Sequence, residues 1–584
     1  MQPQWWISII FIISFLSYFA GFSLIKRNDK KINFLLWLPL NLVLSYGVIA
    51  FICGIVNAFL PINIITVSVI CVALAVFCWC LVYKKGKQNF QFKWFDIVPF
   101  IICSAVAIYF AYNQFTGSIL PIYETSDPSI HFQLALNVVN KQKLTGIYFF
   151  APLLNALIIE CFGAFVSVGE YYKLFILSDV LMLLLSGVVF YSVTALNSQN
   201  IKYKLCAAFL AIAYMIGFPL NNMVFGFVYL GISVTVILVL IAFVKMYVDN
   251  EFEHSFSVFS LMILCFSVIL CYSFFAPPVF FALLAVGIFV FAKRKELITF
   301  KFVLEQLKIF LLPCLMFLYY MFTDKSPTQM SALSVEGYIY KELYSDFYLL
   351  IPPCLFMLYK SLKNKKIRFS VSLFVFVILF MAIILPLGLR GVFSSYYYYK
   401  LYYLLWAVCF YLTYLAVEEI GEKNLSLAVS SFVCIAAFFI IAISGANKKI
   451  QDINMQFNPT DDSYELFDVY QFNSQRIIER DDTETIALWN SKFELYNYVI
   501  DNKLQSDKPV QIVADWMSTY WYEGLLNEPM EDFYWLDPEK AINSISQNDY
   551  VVVLKDCDMY IEHQEYFEGM EKLFSNSIGF VAII

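Results

Sequence analysis

Apolar residues run on along most of this chain without the alternation of a half-buried strand or the stripe of an amphipathic helix. Unbroken runs stand at roughly 5–25, 32–60, 64–83, 96–112, 147–168, 173–195, 205–220, 226–248, 257–274, 277–292, 307–322, 345–360, 370–389, 401–418 and 425–445. A helix needs about 20 apolar residues to cross a hydrocarbon core of about 30 Å. Only helices and closed barrels satisfy their backbone in lipid, and continuous rather than alternating runs exclude a barrel. The pattern predicts an all-α polytopic membrane protein of about 13–15 transmembrane helices, with one or two of the shorter runs re-entrant.

Composition agrees: 61% of the 584 residues are apolar and 14% charged, against about 25% charged in soluble domains. Charge divides the chain. Residues 446–584 carry 10 basic and 26 acidic side chains, residues 1–445 carry 29 and 19. We therefore expect a multispan domain over 1–445 and an acidic soluble domain over 446–584. Thirteen of the fourteen cysteines lie in the first part as small buried hydrophobes, and Cys557 alone stands in the second. The run from Trp5 to Ile25 has no charged segment before it and two basic pairs after it, and reads as a retained first span. Such a chain does not track nucleic acid.

Basic loops face the cytoplasm in multispan proteins. Lys26–Lys31, Lys84–Lys93, Ile201–Lys204, Lys293–Lys301 and Lys360–Arg368 mark that side, which puts the loop 113–146 and the 446–584 domain outside. The count clashes between Asn113 and Lys204 if 147–168 and 173–195 both cross. In the acidic domain, 510–514, 550–554 and 578–584 read as strands, and Glu484–Asp501 and Pro538–Ser546 as helices, a small α/β unit. Its Trp516, Tyr520, Trp521, Tyr522, Tyr534 and Trp535 suit either sugar stacking or a core.

Chemistry concentrates in Tyr123-Glu124-Thr125-Ser126-Asp127-Pro128-Ser129-Ile130-His131. Asp127 before Pro128 has the signature of a helix start, and His131 one turn on shares its face. Glu124, Asp127 and His131 can thus converge at the outer membrane surface, where a carboxylate takes a proton from a hydroxyl; an Asp that merely caps its helix is the plainer reading. Arg390-Gly391-Val392-Phe393-Ser394-Ser395-Tyr396-Tyr397-Tyr398-Tyr399-Lys400 sets two cations around tyrosines. It suits either a lipid phosphate, held by Arg390, Lys400, Tyr396 and Tyr399, or an interfacial aromatic belt. Glu160 and Asp179 stand inside apolar runs, as functional groups or as a pair with each other or with Lys173. No P-loop, zinc spacing, GxSxG elbow or dinucleotide fingerprint is present.

An acid in an early outer loop of a many-span protein, a helix after it and the Phe149-Phe150-Ala151-Pro152-Leu153 start of the next run resemble the GT-C superfamily of polyprenyl-phosphate-sugar-dependent membrane glycosyltransferases, of the bacterial cell-surface polysaccharide type. Gly163-x(5)-Gly169-Glu170-x-x-Lys173 adds to the likeness, while the adjacent acidic pair common in that family is missing. The resemblance implies a sugar moved from a polyprenyl-phosphate carrier to a cell-surface glycan or teichoic-acid-like acceptor, polysaccharide or lipid-linked, outside the cytoplasm. It implies Asp127 as base, Glu124 and His131 positioning the acceptor, and Arg390 and Lys400 on the donor phosphate. Membrane lipids and an enzyme making the lipid-linked sugar are the implied partners; a divalent cation is left open as cofactor. Polymerase or ligase action, lipid-linked substrate transport through Glu160 and Asp179, and a non-catalytic assembly subunit are the rival readings.

Overall fold

The computed structural model describes residues 5–123, 125, 127–196, 198, 200–293, 299–323, 347–364, 368–390, 395–424, 483–507, 510–526 and 549–583, with a few isolated positions between and beyond them. Helices dominate: α1 (Trp5–Leu24), α2 (Phe34–Val56), α3 (Ile64–Lys85), α4 (Ile97–Phe115), α5 (Asp127–Lys141), α6 (Phe150–Phe162), α7 (Tyr171–Ala195), α8 (Ile201–Ile216), α9 (Phe218–Phe225), α10 (Val228–Val248), α11 (His254–Tyr272), α12 (Ala276–Lys293), α13 (Phe300–Thr323), α14 (Ile351–Lys363), α15 (Phe369–Leu389) and α16 (Ser395–Gly421). Among the described residues eleven helical stretches are long and apolar enough to cross a membrane, and one of them, His254–Lys293, is two helices broken at Ser273–Phe275. This is the all-α multispan bundle that the hydrophobic pattern predicts. The run 425–445 lies outside the continuously described residues.

One end of the bundle gathers the basic loops. Two short strands, β1 (Ile32–Asn33) and β2 (Phe90–Gln91), pair in parallel there. Asn28 donates to the Glu251 carbonyl, Lys85 pairs with Glu253, and Lys360 and Arg368 both reach Glu419. At the same end Lys204 Nζ sits 2.6 and 2.7 Å from the Asp96 carboxylate oxygens, which also accept from Tyr191 and Asn33. Both charges are buried, and a buried ion pair is tolerable only with its remaining valences filled, as here.

The acidic domain sits at the opposite end. Its helices α17 (Thr483–Asp501) and α18 (Trp516–Leu526) pack with a four-stranded sheet of β3 (Val510–Val513), β4 (Tyr550–Leu554), β5 (Glu571–Ser575) and β6 (Gly579–Ile583) in the order β3-β4-β6-β5. β3 and β4 are parallel and the other pairings antiparallel. The three predicted strands and the 484–501 helix are there, β5 and α18 are additions, and 538–546 lies outside the described residues apart from Ile542. Trp521 and Tyr522 are buried, so these two serve a core. Tyr534, Trp535 and the Trp516 side chain lie outside the described residues. Phe493 stacks on Tyr172 at 4.5 Å and Trp521 on Tyr123 at 5.9 Å, seating the domain on the loop that precedes α5 and on the first turn of α7.

The clash in the span count resolves at α6. Its first residue, Phe150, accepts from Tyr46 midway along α2, yet Glu160 near its last turn meets the amide of Ile64 at the start of α3. The chain before α6 (Gln142, Leu144) is bonded to Ile62 and Asn57, at that same end. Residues 147–168 dip into the bundle and return.

Two outcomes check this arrangement. Cysteines placed at Gln142 and Ser167, in a background without the exposed Cys80 and Cys314, should react with an impermeant maleimide from the same side of the membrane. Lys204→Met should lower the free energy of unfolding by about 3–5 kcal/mol by stranding the Asp96 carboxylate. Thermal unfolding in detergent should show most of that loss restored in the Asp96→Asn/Lys204→Met double variant.

Candidate functional site

Helix α5 begins at Asp127 itself, with Pro128 in the first turn, where proline's fixed φ suits a helix start and a carboxylate favours the positive end of the dipole. The start is fixed from three sides. Thr125 donates to the Phe225 carbonyl at 2.8 Å. Pro128 packs directly on Gly226, which has φ +74° and no room for a β-carbon, so only glycine fits on both counts. From the third side α18 closes in: a β-carbon on Gly524 would stand 3.0 Å from the Ser129 carbonyl oxygen, and Trp521 lies against Phe132.

Opposite α5 stands Lys400, in the first turns of α16. Its ammonium is buried, donates to the Tyr229 hydroxyl at 2.6 Å, and lies 5.1–5.7 Å from the ring centres of Phe227, Tyr229, Tyr272 and Tyr397. Such a cage holds a cation through the electron-rich ring faces. The His131 ring is 4.8 Å from that of Tyr229. Asp127 and Lys400, 273 positions apart in the chain, lie within electrostatic reach of each other and of His131. Burial, reinforced by Lys400 and opposed by Asp127, brings the imidazole down to about 4, so it is neutral at physiological pH. The site thus offers a carboxylate, a neutral imidazole able to donate and accept, and a caged ammonium. Around it Tyr148 pairs with Ser273 at 2.8 Å and its ring meets that of Tyr272.

Of the residues singled out in the sequence, Asp127, His131 and Lys400 come together. Tyr399 is turned elsewhere: its hydroxyl donates to Asn221 at 3.1 Å and pairs with Tyr403 at 3.0 Å. Arg390 is exposed at the end of α15, and no described contact joins its guanidinium to the cluster. Glu124 and the Tyr396 side chain lie outside the described residues. The expected pairing of Glu160, Asp179 and Lys173 is not what forms. Lys173 bonds Glu170 at 2.6 Å, Glu160 meets the start of α3, and Asp179 accepts from the Tyr123 hydroxyl at 2.6 Å. Among the described residues, no three His, Cys, Asp or Glu side chains gather as metal ligands. Sequence reasoning missed Tyr229 and Tyr272; tyrosines at span ends read as an interfacial belt, and the one local signal was Gly226 between two apolar runs.

No family model and no curated protein matches the chain. Among solved structures it is similar to the crystal structure of ArnT from Cupriavidus metallidurans bound to undecaprenyl phosphate, with a TM-score of 0.47 and 11% identity over 83% of this chain and 97% of that one. At so loose a superposition, roles are read from this chain's own side chains.

The neutral His131 has a stability signature. Its folded value lies near 4 against an ordinary 6.5, so the unfolded chain takes up a proton that the folded one refuses as pH falls from about 6.5 toward 4. Stability should decline across that window by at most about 3 kcal/mol. His131→Gln should flatten that part of the profile when unfolding is followed from pH 7 to pH 4.5.

Proposed function

We propose that the chain is a GT-C-type glycosyltransferase that moves a sugar from a polyprenyl-phosphate carrier to an acceptor hydroxyl on a cell-surface glycan or teichoic-acid-like polymer, outside the cytoplasm. The observation that carries this reading is the meeting of Asp127 with the caged Lys400. A proton acceptor and a cation face one another at the end of the bundle away from the basic loops. By the positive-inside rule that end is extracytoplasmic, and so is the acidic domain seated on it.

The chemistry needs both groups. As the acceptor oxygen attacks the anomeric carbon, its proton passes to the Asp127 carboxylate. The bond from that carbon to the phosphate oxygen breaks, and its electrons leave with the polyprenyl phosphate. Lys400 and the Tyr229 hydroxyl stand where that negative charge develops, an arrangement worth most where water is excluded. His131, uncharged, orients the acceptor by hydrogen bonding without competing for the phosphate as a second cation. Arg390, exposed at the end of α15, remains the candidate from the sequence for meeting the donor headgroup. Glu124 and Tyr396 remain candidates from the sequence for acceptor and donor contacts.

Purified protein supplied with a radiolabelled polyprenyl-phosphate sugar and membrane glycan provides the test. Asp127→Asn should lower kcat by about 100-fold or more with little change in the donor KM. Lys400→Met should weaken donor binding as well as turnover. Transfer by both variants at close to the wild-type rate would remove the assignment.

A further inference from the structure

α6 does not cross the bundle: the chain just before it meets Gly54 near the end of α2, and Glu160 meets Ile64 at the start of α3. Along one side of α6, lined by Phe150, Leu154 and Ile158 and bounded by α2, α4, α7 and α10, lies a cavity of about 440 Å³. Leu38, Phe100, Leu184 and Val236 form its walls, and Tyr46 with Phe150 its ceiling. Its depth follows from the helix rise. The lining residues of α7, from Leu181 to Val188, lie about 15–26 Å along the axis from the first residue of that helix. Leu38 is one turn from the start of α2 at the basic end. On α10 the lining residues Ile232, Thr235 and Val236 lie about 6–12 Å from the first residue of that helix, so the cavity runs from near the basic end across the middle of the core.

Nothing in it suits water. The three polar side chains on its border are each spent on backbone: Ser104 on the Phe100 carbonyl, Thr235 on that of Gly231 and Tyr46 on that of Phe150, all at 2.8 Å. Apolar cavities of this kind stay dry, and a void of this size forfeits packing contacts along its whole wall. One flank runs between Phe15 on α1 and Phe100 on α4, helices whose other faces carry exposed Ile13, Ile101 and Ile108. That is the lipid-facing side, and hydrocarbon chains are the apolar molecules at hand there.

We infer that this cavity is a resident-lipid site: one acyl chain of a diacyl phospholipid, entering from the bilayer between α1 and α4, fills the space beside α6. The full-length protein in nanodiscs containing phosphatidylglycerol with an acyl-chain diazirine tests it. After labelled lipid is diluted by a large excess of unlabelled lipid and the sample is irradiated, adducts should persist on Leu184 and Leu38 while those on outward-facing Ile101 fall with the dilution. Leu184→Trp and Ser104→Trp, which fill the cavity from different walls, should each cut the persistent adduct at least about fivefold, with the Ile101 adduct and the folded yield unchanged. Native mass spectrometry of the unsubstituted protein should find one retained phospholipid per chain. Interior adducts that are absent, or that dilute as fast as Ile101, would overturn the inference. So would displacement of the adduct by polyprenyl phosphate, which would give the cavity to a different lipid.

Discussion

The arrangement turns on one constraint: an ammonium buried among aromatic rings at the edge of a bilayer must be compensated where it lies. Lys400 cannot reach solvent past Phe227, Tyr229, Tyr272 and Tyr397, and an uncompensated buried charge costs far more than any single packing contact returns. The ring faces, the Tyr229 hydroxyl and the field of Asp127 supply what water would have supplied. The acid belongs to a loop helix, so its helix must be held in place, and most of the surrounding structure does that holding. Gly226 lets α5 approach α9 and α10, and Thr125 ties the preceding turn to the same place.

The acidic domain is part of that support. α18 covers the other face of α5, and the stacked Tyr123 and Trp521 link domain and bundle through a side chain that also bonds Asp179. Tyr123 stays protonated because burial and the adjacent carboxylate both oppose its ionisation. The domain thereby contributes to the site through position, with its buried aromatics used for packing.

Local features of the site were legible in the chain. The spacing of Asp127 and His131 sets both on one helical face, and a lysine after four tyrosines at a span end stands out whatever its partners. What brings Lys400 to Asp127 is tertiary and leaves no local trace. Tyr399 illustrates the limit: one residue from Lys400, it is turned about 100° around the helix and faces Asn221. Likewise α6 has the hydropathy of a span, and only its contacts at both ends reveal that it turns back. β5 was missed because Glu571-Lys572-Leu573-Phe574-Ser575 is a largely exposed edge strand with little apolar alternation. The boundary expected near residue 446 rests on charge alone, and the residues around it lie outside those described.

The Asp96–Lys204 pair constrains how the protein is made. α4 leaves the ribosome with its carboxylate 108 residues ahead of the lysine that neutralises it, a delay of roughly 5–20 s at about 5–20 residues per second. Asn33, at the start of α2 and already synthesised, donates to the same carboxylate and serves as its interim companion. The three helices that precede α4 thus act during biogenesis as a cradle, keeping the acid solvated by protein until α8 arrives to take over.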